Sequence, residues 1–353
     1  MSTIIYTFFS FFFITCPTIF SNALTNDDPT PYLSPLTFFP NYKTMLNSFK
    51  IFIYQPNTAL AYNSNTQSLF YASLQKSPFA TINGEQAHLF FIPFSTSDLS
   101  RIIRDIRKKF SYWNRTLGAD HFYLSCGDNT TTTDSDRNVL ELRKNSIQIS
   151  CFPTSSYTKF IPHKDITLPP LPTTAADTII NQLSNANQSY LGYFRYDGED
   201  KDGSHSVLVN QLAVDPDFLV DFEPFDEIRA STSKFCLFEY GFSDMSRIVV
   251  ALGLGCVPVV ISDRLIKDLP FVDVVRWQEI AMFVRFGGGV DEVKHILVRT
   301  SGEIYTRMRG MGMKASKHFL WHVSPQPFDC FNTLIYQLWL RRHTIRYALR
   351  TME

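Results

Sequence analysis

The stretch 233–284, SKFCLFEYGFSDMSRIVVALGLGCVPVVISDRLIKDLPFVDVVRWQEIAMFV, is the part of this chain whose reading decides the fold. An apolar strand, a polar turn, a helix, a Gly-Cys turn, a second strand, an Asp-containing loop and a further apolar segment follow in that order. This is the order of a nucleotide-binding α/β half-domain. It sets a helix N-terminus beside a strand end. Backbone N–H groups and the positive end of the helix dipole converge there, which suits an anionic diphosphate.

Working outward, the same alternation continues upstream. FKIFIY (49–54), EQAHLFFIPF (85–94), ADHFYLSC (119–126), SIQISCF (146–152) and YLGYF (190–194) read as strands. Helices are predicted over 64–76, 98–113, 137–144 and 175–183. In the second of these Ile102, Ile103, Ile106 and Phe110 share one face, so its Arg and Lys residues form a solvated face. The proline-rich connection HKDITLPPLPTT (163–174) marks a domain boundary. At the end, 328–349 reads as a helix with Phe331, Leu334, Ile335 and Leu338 on one side. The expected fold class is α/β, with two Rossmann-like domains whose parallel sheets face one another across a cleft. The divisions are 1–23 as signal anchor or signal peptide, 24–48 as a Pro-, Ser- and Thr-rich stem, 49–174 and 175–325 as the two domains, and 326–353 as a terminal helix.

A length of 353 residues with 44% hydrophobic content is ample for two buried cores, and 33 basic residues balance 33 acidic ones. That balance gives no reason to expect a nucleic acid partner. Residues 4–20 are apolar and uncharged, a length between a signal-peptide core and a bilayer span. Both alternatives, cleavage after Ser21-Asn22-Ala23 or retention as an anchor, lead into the secretory pathway. Beyond Cys16, five cysteines remain, so at least one thiol stays unpaired. Cys126 and Cys151 flank a polar excursion and could staple it, whereas Cys256, in an apolar GCVPVV run, reads as a small buried hydrophobe. Sequons at Asn114, Asn129 and Asn187 agree with lumenal exposure.

The ordered segments FKIFIYQP, EQAHLFFIPF, YWNRTLGADHFYLSC, RNVLELRKNSIQISCFP, FIPHKDITLPPL, SKFCLFEYG, GCVPVVISD, LPFVDVVRWQEIAMFV and KHFLWH resemble the plant exostosin-like enzymes of glycosyltransferase family 47, over roughly residues 49–347. The resemblance implies a GT-B type fold, a single-pass type II position in the Golgi membrane with the catalytic domain lumenal, and an inverting transfer. The donor would be a nucleotide sugar, in the first place a UDP-sugar, and the acceptor a cell-wall polysaccharide or glycoprotein glycan. Two further readings stand beside it. One is a non-catalytic relative that binds glycan or serves as a subunit of a glycosyltransferase complex; the other is a secreted carbohydrate-binding protein released after Ala23.

Inverting transfer needs a base for the acceptor hydroxyl and a cationic or dipolar site for the leaving diphosphate. Arg195, directly after YLGYF, is the first candidate for the diphosphate, because a guanidinium grips phosphate through two donors. Lys234 and Arg247 are further cations, and Ser233 and Ser246 could donate or cap. For the base, Asp120 and His121 are expected to point into the cleft from a strand start, with His163 as the alternative. Asp134-Ser-Asp136 has the spelling of a metal-binding pair but sits in a Thr-rich loop, so no metal or other cofactor is expected. His318 and His322, four apart, read as packing and capping. The resemblance implies that the helix between SKFCL and GCVPV usually carries a carboxylate immediately before its Ala, where it can bind the ribose hydroxyls of the donor. Here that position is Val250, which accepts no hydrogen bond; Glu239 and Asp244 are the nearby acids that could take over, and without one catalysis is weakened or lost.

Overall fold

The computed structural model describes residues 30–350, apart from 56–59, 61, 63, 95–98, 127–135, 155–159, 172–179, 181, 185, 197–203, 223, 242–244, 286 and 288. The apolar segment 4–20, Asn129, Asp134, Asp244 and most of the helix expected at 175–183 lie outside the described residues. Among the described residues no helix is long and apolar enough to cross a membrane.

Two parallel sheets organise the chain. The first contains β1 (Ile51–Ile53), β2 (Ala80–Thr81), β3 (Leu89–Phe91), β4 (His121–Ser125), β5 (Ile147–Cys151) and β6 (Ile166–Leu168), in the spatial order β2-β1-β3-β4-β5-β6. The second contains β7 (Tyr190–Arg195), β8 (Phe218–Asp221), β9 (Ser233–Glu239), β10 (Val257–Ile261) and β11 (Met282–Val284), in the order β11-β10-β9-β7-β8. Every paired neighbour runs parallel. Strands buried on both faces need continuous apolar runs, and VPVVI in β10 is buried at all five positions. In each sheet the strand order reverses once, between β1 and β3 in the first and between β7 and β9 in the second.

Helices α2 (Asn65–Lys76), α3 (Leu99–Lys109), α4 (Tyr112–Thr116) and α5 (Arg137–Asn145) accompany the first sheet. On α3, Leu99, Ile103 and Ile106 are buried while Arg107 turns outward to Glu141 at 3.0 Å. Asp136 starts α5, its carboxylate accepting from the N–H groups of Asn138 and Val139; that capping is its role here. The second sheet carries α6 (Ser204–Ala213), α7 (Glu227–Ser231), α8 (Arg247–Leu254), α9 (Gly289–Arg299) and α10 (Gly302–Ser316). Helix α8 ends in Gly255, whose φ of +76° is the left-handed cap that side-chain-bearing residues resist; a Cβ there would stand 2.7 Å from Arg309 Nε.

Two expectations are corrected. The stem does not run to residue 48, because α1 (Pro35–Ser48) buries Phe38, Tyr42 and Met45 in the core. Its aromatic spacing places Phe38 and Tyr42 on one face, Tyr42 stacking on Phe328 at 4.3 Å, and burial of such side chains favours folding by about 1.5–3 kcal/mol each. Ahead of it, Tyr32 bridges Val275, and Leu33 N–H donates to the Val274 carbonyl at 2.8 Å. The ITL of the proline-rich connection is also not loop; it is β6, the edge strand beside β5.

Helix α11 (Cys330–Arg350) carries the chain back to the first sheet: Phe331 packs on Phe70 and Phe79, and the guanidinium of Arg341 donates to the carbonyls of Lys164 and Asp165. One apolar cluster therefore runs through both halves. Two disulfides join neighbouring strands. Cys126–Cys151 links the ends of β4 and β5 as expected, but Cys256 is no free hydrophobe: it is bonded to Cys236 in β9. The flanking apolar run hid a covalent partner 20 residues away. Among the described residues Cys330 is the free cysteine, and it is buried.

Candidate functional site

In a doubly wound sheet the ligand crevice opens at the carboxyl ends of the strands where the order reverses. In the second sheet those ends are Arg195 on β7 and Glu239 on β9. The β9–α8 turn starts here, and α8 opens on Arg247, so a guanidinium, a carboxylate and a helix N-terminus are brought to one edge. Register sets Arg195 opposite Asp221, the last residue of β8. Asp221 lies 3.1 Å from the Arg229 guanidinium, and Arg247 lies 3.8 Å from Glu227. Arg247 also covers the Phe225 ring at 5.8 Å.

Arg229, Asp221 and Glu227 are not reached from the sequence, because they lie in the stretch 197–232 that carries none of the motifs above. A signal was present: Asp226 before Glu-Ile-Arg-Ala is a helix start, and its carboxylate does accept from the N–H groups of Ile228 and Arg229.

The other half of the chain reaches this edge of the second sheet. Tyr240, next after Glu239, donates its hydroxyl proton to Asp268, and Asp268 also accepts from the N–H and hydroxyl of Thr154. Thr154 follows the end of β5, so the carboxyl edges of the two sheets meet at one buried acid. Burial first, then the hydrogen bond and charge of Asp268, push the Tyr240 hydroxyl far above its ordinary pKa.

Several predicted residues fall elsewhere. Ser233 and Lys234 open β9 while Glu239 closes it, six residue steps away, or about 20 Å at about 3.3 Å per residue. They therefore stand at the opposite edge of the sheet. Ser233 is buried and donates to the Arg229 carbonyl; Lys234 is exposed, with its ammonium 6.0 Å from the Tyr305 ring.

Asp120 and His121 do not point into a cleft. His121 is 0% and Asp120 4% exposed. One imidazole nitrogen meets Asp120 at 2.7 Å and the other meets the Tyr54 hydroxyl at 2.9 Å, while the ring stacks on Phe90 and Tyr54. Arg115 and Thr116 complete the shell of Asp120. Burial holds the imidazole below its usual pKa against the pull of Asp120. With both nitrogens engaged in a closed chain, this geometry suits support of the core rather than general base chemistry. His163 is exposed in the turn before β6.

Val250 is 1% exposed in the first turn of α8, beside buried Ile248, Val249 and Ala251. The position is core. Glu239, 7% exposed, closes β9 ahead of the turn that leads to α8. His318 is buried between Thr333 and Tyr32 at 3.1 Å from each, and His322 meets Asp329 at 3.2 Å, so both pack and cap. Asn114 and Asn187 are exposed. Among the described residues no three His, Cys, Asp or Glu side chains are grouped as a metal-binding set.

Parallel sheets that each reverse their strand order once define a doubly wound α/β protein. Comparison with known proteins narrows the class: residues 45–299 match the Exostosin GT47 domain. The chain belongs to the exostosin GT47 family of glycosyltransferases. Its relatives include the probable glycosyltransferases At3g07620 and At5g25310 of Arabidopsis thaliana. The first is 30% identical over 92% of this chain and 76% of its own length; the second is 28% identical over 93% and 74%. A probable beta-1,4-xylosyltransferase of the same plant is 28% identical over 74% of this chain and 71% of its own.

Proposed function

We propose that this chain is a glycosyltransferase of the GT-B architecture that moves a sugar from a nucleotide donor, in the first place a UDP-sugar, to a plant cell-wall polysaccharide or glycoprotein glycan, with inversion. The observation that carries the proposal is the placement of Arg195 at the end of β7 and Glu239 at the end of β9, the two strands of the reversal point, within a family of glycosyltransferases. Arg195 and the α8 N-terminus, with Arg247 on its first turn, neutralise the departing diphosphate without a metal. Glu239 takes the ribose hydroxyls in place of the absent acid at Val250. The two disulfides support a site in the secretory pathway, for which we propose the Golgi lumen.

One observation favours the second reading, a non-catalytic glycan-binding or partner subunit: Val250, at the position where the family resemblance implies a ribose-binding carboxylate, is an apolar side chain built into the core. Calorimetric titration of the full chain with UDP and a panel of UDP-sugars separates the two. Micromolar binding, lost in Arg195→Ala, supports the enzyme; a folded protein that binds none of them supports the subunit.

A further inference from the structure

A cavity of about 380 Å³ opens at the amino edge of the second sheet, the end of β7 and β9 remote from Arg195 and Glu239. Gln188, Ser189, Tyr190, Asp217, Lys234 and Tyr305 line it. Its chemistry is amphipathic. Tyr190 is 38% exposed, Lys234 reaches over the Tyr305 ring, and Asp217 presents a carboxylate shared with Lys294 at 2.7 Å. The floor is fixed: the Gln188 amide donates to the carbonyls of Ser233 and Gly255 and accepts from the Tyr305 hydroxyl. Flat aromatic faces beside amide, ammonium and carboxylate groups suit a saccharide, whose C–H faces stack on rings while its hydroxyl and acetamide groups hydrogen-bond at the rim.

The chain itself carries the attachment point for such a ligand. Asn187-Gln188-Ser189 is a glycosylation sequon, and its last two residues are part of the cavity wall. Asn187 is exposed, three residues before Tyr190, a path of at most about 11 Å. The Asn114 sequon differs: it lies in helix α4, and its Thr116 hydroxyl is bound to Asp120 at 2.6 Å.

We propose that Asn187 carries an N-linked glycan whose first N-acetylglucosamine residues dock in this cavity against Tyr190 and Lys234. The bond forms between the Asn187 amide nitrogen, which gives up one proton, and the anomeric carbon of a lipid-diphosphate-linked oligosaccharide, whose lipid diphosphate leaves. The proposal rests on the secretory-pathway part of the function proposed above.

The test uses the full chain expressed in plant cells. Glycopeptide mass spectrometry should find Asn187 occupied, and peptide-N-glycosidase should release that glycan at least tenfold more slowly from native than from denatured protein. Asn187→Gln and Tyr190→Ala should each lower the thermal midpoint by about 2 °C, and the double variant should fall no further than either. The docked glycan is ruled out by equal release rates from native and denatured protein, by additive midpoint losses, or by a bare Asn187 in a chain glycosylated at another sequon. Three bare sequons overturn it together with the secretory location.

Discussion

Asp268 accepts two hydrogen bonds from Thr154, one from its backbone N–H and one from its hydroxyl, both at 2.7 Å, across 114 residues of sequence. Because it also accepts from Tyr240, one buried carboxylate joins strand ends of both sheets beside the candidate donor site. A hydrogen bond to a charged group contributes about 1.5–3 kcal/mol. Asp268→Ala is therefore expected to lower the unfolding free energy by about 3 kcal/mol or more in urea titrations, with Asp268→Asn, which keeps an acceptor oxygen, losing less. Equal stability of Asp268→Ala and wild type would refute the joint.

Val250→Glu should not recreate a donor ligand. A carboxylate forced into the α8 core lacks a partner, so a loss of about 2–4 kcal/mol is expected in the same titration, with no gain in UDP affinity. Glu239→Gln, by contrast, should weaken UDP binding about tenfold. Tighter UDP binding by a folded Val250→Glu protein would move the ribose site to α8.

Stability should fall on mild acidification. Burial, helped by the charge of Lys317 and opposed by a backbone bond to Phe328, lowers the His318 pKa to about 3 from a usual 6.5. The unfolded chain then takes up a proton that the native chain refuses, so the stabilisation is complete above about pH 6.5 and is lost progressively as pH falls toward 3. By pH 5 this residue accounts for about 2 kcal/mol. His121, held low by burial, shifts stability in the same direction. Unfolding at pH 7 and pH 5 checks this: His318→Gln should show a smaller difference between the two than wild type.

Loss of the β9–β10 crosslink should be costly because it closes a loop within the second sheet. For a separation of 20 residues the loop-entropy contribution is about 3 kcal/mol. A Cys236→Ala/Cys256→Ala double variant should unfold at a correspondingly lower urea midpoint, and an unchanged midpoint would remove any structural weight from this bond.

The β9–turn–α8–β10 unit was legible in the sequence because apolar runs of strand length are punctuated by polar turns and by the Gly255 cap, all local signals. Arg195 could be placed at a strand end for the same reason. What could not be read depends on contacts distant in sequence. Nothing near Asp268 in the sequence points to Thr154, and nothing near Cys256 shows that Cys236 lies in the adjacent strand. Ser233 and Lys234 were drawn to the donor site by closeness in sequence to α8, yet a seven-residue strand carries them to the far edge. His121 looked like a base because burial is a tertiary property: Phe90, Tyr54 and Trp113, which enclose it, come from three other segments.

The clasp formed by Tyr32, Leu33 and α1 has a mechanical consequence. Tyr32 and Leu33 pair with Val275 and Val274, while α1 lies against Phe328 and Tyr336, so tension applied at Thr30 loads the second half of the chain before it reaches β1. Any tether upstream of Thr30 would pull first on the second half of the chain, leaving the first sheet to follow through α11 and the Thr154–Asp268 joint.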